Sequence, residues 1–191
     1  MDTQTPNDTD APTTSRRNLI ASLLAGGALA ATPLFVSQRA SAEGSTTTTS
    51  PNRSNADNAA LNSLLGLERT AVRAYTAAAG STALSEDDKV VMAELLARHR
   101  AYVDAIKGYL GTAAVADTSS PAATTNASLA SQAPALIAIE ERAITAHTAA
   151  LASLEGLGAA TLVASIISAE ARNAAVLAIL SGKGFAAATA Q

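Results

Sequence analysis

The chain has 191 residues, enough for one modest domain with accessory segments. Hydrophobic residues make up 48% but aromatics only 3%, so a core has to be assembled from Ala, Leu, Ile and Val, a composition that favours helices because Ala and Leu lose little on entering one. A formal charge of −3 with no dense Lys/Arg block excludes tracking of a nucleic-acid backbone, and the absence of cysteine excludes disulfides, thiolate metal sites, cysteine nucleophiles and a lipoprotein anchor.

The N-terminus reads as an address. Thr14-Ser15-Arg16-Arg17-Asn18-Leu19-Ile20 precedes an uncharged stretch rich in Leu, Ala and Gly that runs to Gln38. Ala40-Ser41-Ala42 then supplies small residues for a signal peptidase, which places the mature start at Glu43. The arginine pair before an apolar run resembles the twin-arginine export signal, with Leu19 where Phe is commonest. Residues 1–42 are therefore expected to be a cleaved signal peptide; the competing reading is a retained anchor, because the run approaches the ~20 residues that span a bilayer. Residues 43–56 are polar and of low complexity, a tether with nothing to bury.

From Asp57 onward apolar residues recur at three- and four-residue spacing. Leu61, Leu64, Leu65, Val72 and Tyr75 form one stripe, predicting a first helix from Asp57 to Ala79, closed by Gly80-Ser81. Ser85-Glu86-Asp87-Asp88 is an N-cap signal for a second helix, carrying Val91, Leu95, Leu96, Tyr102, Val103 and Ile106 and stopping near Gly111. Thr112 to Ser128 reads as a long connection. A third helix carries Leu136, Ile137, Ile139, Ile144 and Leu151; a fourth carries Leu162, Val163, Ile166, Ile167, Val176, Leu177 and Leu180 and is closed by Gly182. The domain is thus bounded at 57–182, with 183–191 as a C-terminal tail.

The third helix repeats the first. Leu64-Leu65-Gly66-Leu67-Glu68 falls on Leu136-Ile137-Ala138-Ile139-Glu140, and Ala74-Tyr75-Thr76 on Ala146-His147-Thr148, at a constant offset. Helices two and four align as Leu96-Ala97-Arg98-His99 over Glu170-Ala171-Arg172-Asn173. Two copies of a helical hairpin joined by a long crossover follow. Glu68 and Glu170 sit within apolar stripes, and burying several acids in one layer is costly unless a cation or neighbouring Arg69, Arg98, Arg142 or Arg172 neutralises them.

With Glu68, His99, Glu140 and Glu170 at the four expected ligand places, residues 57–182 resemble the bacterial ferritin-like domain proteins, particularly the exported ones. The resemblance implies an all-α, ferritin-like four-helix bundle with one long crossover between helices two and three. It also implies a buried site for iron, with manganese or zinc as alternatives suited to carboxylate and imidazole donors. Leu96 stands where a bridging Glu belongs and Asn173 where a His belongs. On the family's pattern one ion would rest on Glu68, His99 and Glu170, and the second would have lost much of its support. Two-ion oxidase chemistry, which shares redox work between neighbouring ions, is not expected. His147, seven residues beyond Glu140 on the same face, is read as a core or supporting residue, and Glu141 as the competitor of Glu140 for the inward position.

The expected function is an exported protein, in the periplasm, cell wall or medium, that binds one transition-metal ion or a weakened pair for metal handling or oxidant protection. The alternative is a metal-free bundle serving as an interaction or structural module. Expected partners are the metal ion, the twin-arginine export machinery and, in a homo-oligomer, further copies of the chain; neither nucleic acid nor, after cleavage, membrane is among them.

Overall fold

The computed structural model describes residues 55–182; the expected signal peptide, most of the tether and the C-terminal tail lie outside the described residues. Four helices form: α1 (Asp57–Ala79), α2 (Glu86–Leu110), α3 (Leu129–Leu151) and α4 (Leu157–Leu180), with a 3₁₀ turn at Gly111–Ala113 and no strand among the described residues. Local chemistry sets their ends. The Ser85 hydroxyl accepts the Asp88 amide at 3.1 Å, and Glu86, Asp87 and Asp88 complement the positive end of α2. Gly111 ends α2 at φ 57°, a left-handed conformation that side chains with a Cβ resist. Ser128 caps α3 through the Ser131 amide.

α4 starts at Gly156, which has no side chain to cap it, and the cap comes from the far end of the sequence. The buried Asp57 carboxylate accepts the amides of Glu155 and Gly156, each at 2.9 Å. Asp57→Ala strands both donors, of which the Gly156 amide is buried, and is expected to cost about 1 to 3 kcal/mol, read as a lower urea midpoint at unchanged m-value. A loss under half a kcal/mol would show that water replaces the carboxylate there.

The crossover is pinned along the length of α1, about 34 Å at the usual helical rise. At its start the Asn62 amide donates to the Ala113 carbonyl and its oxygen accepts from Val115; midway Asp117 meets Arg73 at 3.4 Å; at its end the Ser81 hydroxyl donates to the Ala127 carbonyl and accepts the Ala127 amide. The chain therefore enters α3 at the end of the bundle where α1 finishes. α3 runs antiparallel to α1, and α4 returns parallel to it. The hairpins α1–α2 and α3–α4 become two equivalent halves, as the repeat implies.

Two apolar clusters fill the interior. One gathers Tyr75, Met92, Leu95, Leu96, Leu136 and Val176; the other gathers Leu61, Leu65, Ile106, Leu162, Val163 and Ile166. α4 is long and apolar enough to cross a membrane by length and composition, but half of its apolar window is buried in the bundle. Between the two clusters lies a layer that is neither apolar nor wet.

Candidate metal centre

That layer consists of Glu68, His99, Glu140, His147, Glu170 and Asn173, each with no exposed surface. Every helix contributes, because each breaks its apolar stripe at this level: Glu68 from α1, His99 from α2, Glu140 and His147 from α3, Glu170 and Asn173 from α4. All four residues expected from the sequence are present, and Glu140 points in while Glu141 is exposed. His147, read from the sequence as a core or supporting residue, belongs to the layer as well. On α1 seven residues separate Glu68 from Tyr75, and on antiparallel α3 seven separate Glu140 from His147. Glu68 thus lies level with His147, and Tyr75 with Glu140.

The two histidines occupy opposite chemical situations. His99 Nδ1 is 2.8 Å from Glu68 Oε2 and Nε2 is 2.9 Å from Glu140 Oε1. Burial would lower its pKa, but hydrogen bonds to Glu140 and Glu68, together with their charges, outweigh burial and raise it to about 10. In the absence of a cation His99 is therefore held as an imidazolium at neutral pH, donating from both nitrogens to Glu68 and Glu140. The rings of Tyr75 and Tyr102 flank it at 4.7 and 5.6 Å. The Tyr75 hydroxyl also donates to Glu140 Oε1. Burial and the Glu140 charge push its phenol up, so it remains a neutral donor.

His147 is held the other way. Its Nδ1–H donates to the Ala143 carbonyl at 2.8 Å, which fixes the tautomer and leaves the lone pair on Nε2, and burial lowers its pKa. Nε2 faces Glu68 Oε1 at 3.5 Å, and Glu170 Oε2 lies 3.3 Å from Nδ1. None of these acceptor atoms has a hydrogen-bond donor: Glu68 Oε1, His147 Nε2 and both Glu170 oxygens are buried and unsatisfied. Burial first, then the neighbouring Glu68 charge, raises Glu170 to about 10, so without a cation this carboxyl keeps its proton.

Glu68, His147 and Glu170 offer one ligand atom each, all within 4.8 Å of one another. A bound ion about 2.1 Å from each donor needs them roughly 3 to 3.5 Å apart, so the cluster closes on an ion with small side-chain adjustments. The Nδ1–H bond to a backbone carbonyl is the support that orients a ligating imidazole. Without a cation only the Glu170 proton serves these buried lone pairs and His147 Nε2 has no donor, an arrangement otherwise hard to account for. The residues fit a cation.

The pseudo-equivalent half of the layer does not. There Tyr75 stands opposite His147 in the repeat and buried Leu96 opposite Glu170, so Glu140 faces a phenol and an apolar side chain. Asn173 matches His99; its oxygen accepts from Arg98 at 3.2 Å and its Nδ2 is unsatisfied. Of the arginines named as neutralisers, Arg69 pairs with Asp117, Arg98 pairs with Glu94 and reaches the layer only at Asn173, and Arg142 is exposed.

The fold and the layer together define a four-helix bundle with a buried carboxylate–histidine cluster able to hold a metal ion. The chain belongs to the ferritin-like domain family, whose model matches residues 56–183. No curated protein and no solved structure matches the chain.

Proposed function

We propose that this protein holds a single transition-metal ion through Glu68, His147 and Glu170 and serves in metal handling or oxidant protection outside the cytoplasm. The observation that supports this most directly is the group of unsatisfied buried donors on those three residues, one of them a neutral imidazole nitrogen whose tautomer is already fixed. When bound, the ion supplies a Lewis-acid or redox centre; two carboxylates and one imidazole suit iron, manganese or zinc. Glu140, Tyr75 and His99 join in a hydrogen-bond network through Glu140 Oε1 in the other half of the layer, where Glu140 Oε2 has no partner. This favours one ion over a pair and argues against two-ion oxidase chemistry. Export through the twin-arginine route, with cleavage after Ala42, is part of the proposal and rests on Arg16-Arg17 and the apolar run that follows.

Protein matured through its own export route is expected to carry one ion per chain by elemental analysis. A chelator is expected to remove about 2 to 4 kcal/mol of stability, as for a ligand held at 100 to 1,000 times its dissociation constant. Metal near zero, with melting indifferent to chelator and to added iron, manganese or zinc, would sink the reading. A second reading, a metal-free interaction module, is favoured by one observation: the His99 imidazolium already compensates Glu68 and Glu140 without any metal.

A further inference from the structure

On the outer side of the α1–α2 hairpin, roofed by the crossover, lies a groove of about 420 Å³, within the usual range of small-molecule sites. Its α1 wall carries Arg69 and Arg73, its α2 wall Arg100 and Lys107, and the partly buried Val72 and Val103 lie between them. Two acids, Asp104 and Asp117, face these four cations.

Along α2, Arg100, Asp104 and Lys107 alternate in sign one turn apart, as on an ordinary solvated helix face, but the α1 wall departs from that pattern. Arg69 and Arg73 are like charges at that spacing, yet their side chains are only 13% and 22% exposed. They share one counter-ion, Asp117, at 3.9 and 3.4 Å, and it is itself 41% exposed. Fastening of the crossover accounts for the α1 wall. It does not account for Arg100 and Lys107, whose exposed side chains make no ion pair or hydrogen bond among the described residues, although they sit on the facing wall one and two turns from Val103 and Arg100 respectively. Asp117 shows which chemistry the groove accepts: a carboxylate held by Arg73 Nη1 with Arg69 Nε at 3.9 Å, and guanidinium groups suit carboxylate and phosphate oxygens alike.

We propose that the groove between α1, α2 and the crossover binds a compact organic polyanion, its acidic groups spanning the α1 arginines and Arg100/Lys107 and its carbon body resting on Val72 and Val103. The shared chemistry is multiple acidic oxygens on a small carbon frame, supplied either by a polycarboxylate or by a phosphoester.

The test is calorimetric titration of the purified mature protein with three probes. Tricarballylate represents polycarboxylates without citrate's metal-gripping hydroxyl, a hexose bisphosphate represents phosphoesters, and acetate is the monoanion control. Saturable binding of tricarballylate or of the bisphosphate, weakening with ionic strength and absent for acetate, is expected; whichever binds more tightly identifies the source. Arg100→Gln with Lys107→Gln is expected to weaken it about tenfold or more, with helicity unchanged. Asp117→Ala, which removes the competing acid and frees both α1 arginines, is expected to strengthen it. The inference is overturned if neither polyanion binds the parent, if acetate binds equally well, or if the double substitution leaves affinity unchanged. Unchanged or weaker binding by Asp117→Ala counts against it equally.

Discussion

On the single-ion reading, His147→Ala is expected to strip the protein of its ion, whereas His99→Ala is expected to leave the metal content close to that of the parent. The contrast follows from where the protons sit. His147 is neutral and donates Nδ1–H to Ala143, so Nε2 is a ready ligand beside Glu68 and Glu170. His99 is an imidazolium whose two nitrogens are committed to carboxylates, and binding a metal there would require it to lose a proton held up to a pKa of about 10. Glu170→Gln is expected to behave like His147→Ala, because it removes a charge and leaves an amide in a site that has to neutralise a cation. The affinity loss should be on the order of 100-fold or more, since these are ligands and not their supports. Metal stoichiometry by elemental analysis and metal titration of the stripped protein decide it. Retention of the ion by His147→Ala together with its loss from His99→Ala would restore the ligand set read from the sequence, Glu68, His99 and Glu170.

His99→Ala is expected to have its large effect on stability instead, about 3 to 5 kcal/mol, because it leaves Glu68 and Glu140 buried without their shared cation. His99→Gln should recover part of this by keeping one donor. The same residue sets the pH dependence of the metal-free protein. Its folded pKa, about 10, exceeds the unfolded value of 6.5, so its contribution is complete below pH 6.5 and is lost as pH rises through 10. Glu170 acts with the same sign: its carboxyl is raised from 4.5 to about 10, so the folded state keeps a proton that the unfolded chain has released. Melting measured in chelator is therefore expected to fall steadily from pH 6.5 to 10, and His99→Ala to flatten that slope. A stability that is flat or rises across this window in the parent would contradict the protonated state of His99.

The sequence by itself determined the four helices, their order and the ends of the first two, because the three- and four-residue recurrence of Leu, Ile and Val and the Ser85 and Gly111 punctuation act within single turns of chain. It also determined that Glu68, His99, Glu140 and Glu170 point inward, since helical period fixes the direction of a side chain around its own axis. The repeat placed Glu140 rather than Glu141 in the interior and paired His147 with Tyr75. That pairing, combined with the antiparallel course of α1 and α3, was the one signal that could have placed His147 level with Glu68.

Only the tertiary structure decided which histidine faces which acid, that Asp57 caps the start of α4 from 98 and 99 residues away, and that cations from two helices line one groove under the crossover. The reason is physical. Period specifies the direction of a side chain but not its height against a neighbouring helix, and that height depends on how far the crossover carries the chain before α3 begins. The protonation of the two histidines depends in turn on that height, since Nε2 of one meets unsatisfied acceptors while both nitrogens of the other meet carboxylates that outweigh its burial.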